Sequence, residues 1–260
     1  MTEPQDGSTV RSVGRAIDIL IALGQSPLPL GDVAEIVKLS KATTYRLLST
    51  LRAKGMVVQD PNTGHYGLGP ACFHLMSSIT NGTAGFIFEA TDSLERLRDL
   101  TSETIAVHVR AGKSRICVKE LPSPHAIRYT AGVGVAEDIH TGSAGKVLLA
   151  FMPEAERERL LKDLPLTAMT ANTITDIDDL RAELRRVADA GVAYSFGERV
   201  SGAVGVTAPI TDPAGNALTA LSVIGPADRL TRDRLPEVEE HVRAVAAQIS
   251  TTVNDGTALG

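Results

Sequence analysis

Cysteine is nearly absent from this chain of 260 residues. The two that occur, Cys72 and Cys117, share no metal-ligand spacing, which removes a cysteine-based metal site and points to a reducing compartment. The six histidines (His65, His74, His108, His125, His140 and His241) show no H-x-x-x-H spacing, so no metal and no cofactor are expected. No apolar run approaches the ~20 residues that span a bilayer. The polar opening, Met1–Arg11, lacks the apolar region of a secretory signal, so the cytoplasm is the expected location, without a membrane partner. Internal repeats and low-complexity segments are missing as well.

Catalytic signatures are also lacking. Gly142-Ser-Ala-Gly145 has no first glycine of a G-x-S-x-G elbow. Gly132-Val-Gly-Val-Ala-Glu137 ends in Glu where a dinucleotide fingerprint needs Gly or Ala. His140 has the chemistry of a general base, but a lone histidine is more often structural or a hydrogen-bond partner to a ligand. No catalytic residue is assigned, and an enzyme is not expected.

What is present starts with charge placement. The net charge is −5. Residues 1–69 carry seven Lys/Arg against six Asp/Glu, whereas residues 70–260 carry 19 against 25. Phosphate binding depends on a local basic face, and an acidic body aids solubility and repels DNA elsewhere.

That local face lies in Leu30–Leu68, which reads as helix, tight turn, helix and a two-stranded wing. Residues 1–9 are polar and expected to be disordered. A first helix begins at Ser12, with Val13, Ile17, Leu20, Ile21 and Leu23 near helical spacing, and Gly24 stops it. Leu30 opens a second helix, with Val33, Ile36 and Val37 as its buried side. Lys38-Leu39-Ser40 turns the chain, and Ser40 is placed to cap the third helix.

In that third helix Thr44, Leu47, Leu48 and Leu51 share the inward face, while Ala42, Arg46 and Ser49 point outward, flanked by Thr43 and Tyr45. Four cations (Lys41, Arg46, Arg52 and Lys54) lie in it without an acidic residue. Gly55 ends it, and Met56–Val58 and His65–Leu68 form a hairpin around Asp60-Pro-Asn-Thr-Gly64. Outward residues near the N-terminal end of such a helix meet a DNA major groove. The DNA-binding set expected is Arg11, Arg15, Ser40, Lys41, Thr43, Thr44, Tyr45, Arg46 and His65. Arg46 is the base reader, and Arg11, Arg15 and Lys41 are phosphate contacts.

Pro70 starts a helix expected to run to Asn81-Gly82. It would expose Phe73, Leu75, Met76 and Ile79, so a partner chain is the expected cover. The remainder alternates elements: a helix over Phe86–Leu100, strands over Thr104–Arg110 and Arg115–Leu121, and a further strand at Ile127–Thr130. Helices follow at Ser143–Phe151, Pro153–Leu161 and Asp178–Ala190. Strands at Val192–Ser195, Ala203–Ile210 and Leu218–Ile224 come next, then a helix from Arg232 to Val253. Strands in a run with helices at either end give an α+β domain on an antiparallel sheet. The boundaries expected are a tail at 1–9, a winged helix-turn-helix at 10–69, a linker helix at 70–82 and a second domain at 83–260.

Within the second domain, His140-Thr-Gly-Ser143-Ala144-Gly145-Lys146 is a Gly-containing turn entering a helix. Its free amides and positive dipole end suit a carboxylate; the bland alternative is a tightly packed turn that needs small residues.

Several segments, in order, resemble the IclR-type bacterial transcriptional regulators. They are Ser12–Leu20, Ser40–Leu48, Tyr66–Gly69, His140–Ala150, Gly197-Glu198, Val206–Ile210 and Leu221–Pro226. The resemblance covers Val10 to Thr252. It implies a winged helix-turn-helix joined by a dimerising linker helix to a GAF-like effector-binding domain. It further implies homodimers or homotetramers on palindromic double-stranded operator DNA, and a small organic or aromatic acid as effector of a catabolic operon.

By resemblance, Ser143, Ala144 and Ser222 match ligand-touching positions. The effector set expected is His140, Ser143, Ala144, Gly145, Ser222 and Ile224. Ile224 and Gly205 stand where some keto-acid-binding members carry donors, which favours a larger, less polar effector such as an aromatic acid. A second domain that only oligomerises is the competing reading.

Overall fold

The computed structural model describes residues 10–80 and 86–257, so the expectation for residues 1–9 and the end of the linker helix at Asn81-Gly82 lie outside it. The chain divides into two compact units, 1–82 and 83–260.

The first unit holds α1 (Arg11–Leu23), α2 (Leu30–Ile36), α3 (Lys41–Ala53), β1 (Val57–Gln59), β2 (Tyr66–Leu68) and α4 (Ala71–Thr80). Its core is Ile19, Leu23, Val33, Val37, Leu48, Val57 and Tyr66. Ser40 caps α3, its hydroxyl accepting from the Thr43 amide at 3.2 Å. The other end closes on Gly55, whose φ is +71°. Its amide donates to the Arg52 carbonyl and the Met56 amide to the Leu51 carbonyl, both at 2.9 Å. This paired closure satisfies carbonyls that the helix end leaves over.

β1 and β2 pair antiparallel, and Leu28 exchanges backbone bonds with Tyr66 to tie the α1–α2 connection to the hairpin. In the hairpin turn, the Asp60 carboxylate accepts from the Asn62 and Thr63 amides, which lowers its pKa.

The apolar faces of α1 and α2 are set by packing, and on α2 one expectation is corrected. On α1 the buried residues are Ile19 and Leu23, four apart, whereas Val13, Ile17 and Ile21 lie on the opposite side of the helix and are exposed. The helical spacing holds, and of the five apolar residues that carry it Leu23 is in the core and Leu20 packs against it. On α2, Ile36 is likewise exposed, and Ala34 joins Val33 in the buried set. On α4, Phe73 and Leu75 are exposed as expected.

The second unit holds α5 (Phe86–Glu89), α6 (Thr91–Thr101), β3 (Thr104–Ala111), β4 (Ser114–Leu121), β5 (Ala136–Asp138), α7 (Gly142–Ala150), α8 (Glu154–Lys162), α9 (Ile177–Ala190), β6 (Ala193–Phe196), β7 (Ala203–Thr211), β8 (Ala217–Pro226) and α10 (Leu235–Thr257). Six strands form one antiparallel sheet in the order β5-β4-β3-β8-β7-β6. Alternation along each strand feeds two cores. Val204, Val206, Ala208 and Ile210 pack with α6 and α10. A separate core gathers α7, α8 and α9 with Ala193 and Ala220 of the sheet.

Here too the structure departs from the expectation in places. The helix expected over Phe86–Leu100 is broken at Ala90 into α5 and α6. Ile127–Thr130 is not a strand; β5 follows the Gly-rich loop instead and pairs with β4. α10 starts at Leu235, three residues later than expected.

Candidate functional site

The first unit presents one polar surface at the start of α3. Lys41, Ala42, Thr43, Tyr45 and Arg46 are exposed there, Tyr45 to 50%. Ser40 is exposed too, but its hydroxyl serves the cap and lies 2.9 Å from that of Thr43. Thr44 is corrected: it is completely buried, its hydroxyl donates to the Ser40 carbonyl at 3.1 Å, and it faces the core instead of solvent. Arg15 donates to the Val37 carbonyl at 3.2 Å and so also holds α1 to the end of α2, while Arg11 is exposed. His65 is half-buried at the base of the wing.

Sequence reading missed a brace. Arg52 Nη1 donates to Gln59 Oε1 at 3.1 Å, and Gln59 Nε2 donates to the Gly64 carbonyl at 3.1 Å, which fixes the wing to α3.

The second unit contains a pocket where α7 meets the sheet, lined by Ser143 and Ala144 from α7, Gly205 and Ile224 from β7 and β8, and Arg115 from β4. Tyr129, Ser195, Glu198, Arg199 and Val200 also line it, and the space within is about 40 Å³. Gly205 and Ile224 are register partners. A Cβ on Gly205 would stand 2.6 Å from Ser143 Oγ, so glycine is what makes room for that hydroxyl.

Of the effector set expected from sequence, Ser143, Ala144 and Ile224 come together in this wall. Ser222 stands behind it. Thr207 donates to Ser143 Oγ at 2.7 Å and lies 2.8 Å from Ser222 Oγ. Thr207 has one hydroxyl hydrogen, already given to Ser143, so Ser222 is the donor to Thr207. Two residues are placed elsewhere. His140 is fully buried with Nε2 3.1 Å from the Thr167 carbonyl. Gly145 has no room for a side chain, since a Cβ would meet the Ile139 carbonyl at 1.8 Å. Its role is close packing, as the bland reading had it.

The helix N-terminus itself is engaged. The Gly142 amide donates to Glu198 Oε2 at 3.1 Å, and Glu198 Oε1 accepts from Lys146 Nζ at 2.6 Å. Lys146 is buried on α7 and also donates to Glu183 Oε1 at 2.9 Å. Arg186 pairs with Glu183 on its exposed side.

Four polar side chains of this region were not legible as site residues. Arg115 is 4% exposed, and its Nη2 lies 2.6 Å from Glu137 Oε2. Arg199 Nη1 lies 2.5 Å from Glu137 Oε1, its Nη2 donates to the Tyr129 hydroxyl, and its guanidinium stands over the Tyr129 ring. Among the described residues, Arg115 Nε has no hydrogen-bond partner. Burial lowers the pKa of Arg115, with Glu137 opposing, and raises that of the Tyr129 phenol.

His108 is also buried, and neither ring nitrogen has a hydrogen-bond partner among the described residues. Burial first, then Arg115 and Arg199, hold it well below the usual histidine range. The signal that marks Arg115 in the sequence is its phase: it alternates with Cys117, a buried thiol pushed up to about 12 by burial, and so points inward.

A family model described as the IclR helix-turn-helix domain matches residues 12–61, and one described as the bacterial transcriptional regulator IclR C-terminal matches residues 83–251. The HTH-type transcriptional regulator BhcR of Paracoccus denitrificans is 30% identical over 247 residues, covering 95% of this chain and 88% of BhcR. The HTH-type transcriptional repressor AllR of Salmonella typhi is 30% identical over 253 residues, 96% of this chain and 93% of AllR. A solved IclR-type regulator from Silicibacter sp. TM1040 has a TM-score of 0.79 at 26% identity, with 93% of this chain and 96% of that one covered.

Proposed function

From the premise that this chain belongs to the IclR family of bacterial transcriptional regulators, as a DNA-binding regulator and not an enzyme, we propose that it represses a catabolic operon and takes a small organic or aromatic acid as effector. Two copies of α3 read a palindromic operator as a homodimer, alone or paired into a homotetramer. Exposed apolar residues in the first unit, Val13, Ile17 and Ile21 on α1 and Phe73 on α4, support self-association.

On the DNA, Arg46 reads a base edge, with Thr43 and Tyr45 beside it. Lys41 and Arg11 meet phosphates, and Ser40 and His65 border the surface.

One observation carries the effector reading: a buried guanidinium, Arg115, lines the pocket, and its Nε has no hydrogen-bond partner among the described residues. Buried donors are nearly always satisfied, so an acceptor belongs there. The space of about 40 Å³ has room for roughly three water-sized groups at ~10–15 Å³ each. A keto acid needs little adjustment, whereas an aromatic acid needs the wall at Arg199 and Val200 to move.

Calorimetry with glyoxylate, pyruvate, hydroxybenzoates and phthalates, paired with gel shifts on the chain's own promoter, tests this. Binding of the keto acids alone removes the aromatic alternative. If no acid binds while operator binding is intact, the effector reading fails and the second unit is an assembly module.

A further inference from the structure

The pocket's charges form two groups that close differently. Behind the wall, the buried Lys146 pairs with Glu198 and Glu183, and Arg186, 76% exposed, meets Glu183 from the solvent side. Arg115 and Arg199 share the single carboxylate of Glu137, which is 8% exposed. Among the described residues, no other carboxylate forms an ion pair with that second group. His108 lies beside it, and burial and the two arginines disfavour its charged form. Glu120, further along β4, is turned onto the Ala131 and Gly132 amides at 2.9 and 2.6 Å. Tyr129 is a phenol that accepts from Arg199. One positive charge is therefore left over beside the pocket, in surroundings where an unbalanced charge is costly.

The geometry around that surplus suits a carboxylate. Arg115 Nε is buried and unpartnered among the described residues. Tyr129 accepts from Arg199, and Ser143 accepts from Thr207, so each keeps its own hydroxyl hydrogen to donate. The residues that carry these two guanidinium groups and two hydroxyls line one space.

We infer that the Arg115–Arg199 pair receives the effector's carboxylate, and that Glu137, standing between the two guanidinium groups, restricts the pocket to acids carrying one negative charge. This rests on the effector reading above. A monoanion brings the cluster to neutrality. A dianion overshoots and places its second carboxylate near Glu137, where like charges repel. Glu137 is thus a specificity residue that acts by charge and need not touch the ligand.

The test is calorimetry on the full-length chain with two pairs of probes, pyruvate with malonate and 4-hydroxybenzoate with phthalate. For the wild type, the monoacid of at least one pair is expected to bind roughly tenfold or more tighter than its diacid. Glu137→Gln raises the surplus to two charges, and the mono-to-diacid ratio is expected to fall by roughly tenfold or to invert. Arg199→Gln removes the surplus and is expected to lose acid binding, while Arg199→Lys keeps the charge and retains the monoacid preference. Arg199 is partly exposed, so these two variants keep the test open if Glu137→Gln fails to fold.

Acid binding with a mono-to-diacid ratio that Glu137→Gln leaves unchanged overturns this inference alone, as does full binding by Arg199→Gln. No binding of any acid by any variant overturns the effector reading and this inference with it.

Discussion

Arg46 and Thr44 are two positions apart on α3 and have opposite fates, one exposed and one completely buried. Arg46→Ala is expected to weaken operator binding by ~1–3 kcal/mol without changing thermal stability, because a base-edge contact is lost and no packing is. An unchanged gel shift removes Arg46 from the base-reading set. His108 offers a second expectation. Its folded pKa lies well below 6.5, so below that pH the unfolded chain takes up a proton that the folded chain refuses. Stability from this residue is complete above about pH 6.5 and is lost on acidification, by up to ~1.4 kcal/mol per pH unit. Tm measured from pH 7.5 to pH 5 should fall less steeply in His108→Gln than in the wild type; parallel curves would show that His108 does not set the slope. Neither Thr44's burial nor His108's setting follows from residue type. Thr44 was readable by helical phase, which already placed it with Leu47 and Leu48. His108 was not, because its neighbours Arg115 and Arg199 arrive from other elements.

Elements were legible where local chemistry marks their ends. Ser40 and Gly55 bracket α3, and Asp176 caps α9, accepting from the Asp178 and Asp179 amides. They were misread where a tertiary partner decides. Ile36 shares the helical spacing of Val33 and Val37 on α2, yet packing buries those two and leaves Ile36 exposed. β5 is three residues long and exists because β4 offers it an edge. α7 is the element on which the pocket depends, since it sets Ser143 and Ala144 in the wall and buries Lys146 between two carboxylates. Lys146→Met is expected to destabilise the second unit by about 3–5 kcal/mol, because Glu198 and Glu183 lose a buried partner. Urea unfolding measures this, and a loss under ~1 kcal/mol would mean that solvent reaches the carboxylates.

At the scale of the whole chain, an acidic sum hides a basic reading surface. The excess of acid lies beyond residue 69, while Lys41 and Arg46 stand in a helix without carboxylates. Operator affinity is expected to fall linearly on a log–log plot against salt, with slope ~−0.9 for each phosphate neutralised. Lys41→Ala should reduce that slope by about one and weaken all sequences alike, whereas Arg46→Ala should weaken the operator most. Fluorescence anisotropy at three salt concentrations separates the two, and an unchanged slope in Lys41→Ala contradicts the phosphate role. Domain order and fold class could be read from the chain because each motif is local. The Arg115–Glu137–Arg199 group could not, since β4, β5 and the segment after β6 meet only in the folded sheet.

The row of hydroxyls from Ser222 through Thr207 to Ser143 has a direction. Were it reversed, the fully buried Ser222 would have to give its hydrogen to another acceptor, and its hydroxyl makes no other hydrogen bond among the described residues. Leaving that buried donor unmatched costs about 1–3 kcal/mol. The row therefore points one way and leaves the Ser143 hydroxyl hydrogen free toward the pocket. If the proposed acid enters here, its amide is expected to bind more weakly at nearly identical shape, because its NH2 group faces hydrogens where the carboxylate offers a second acceptor.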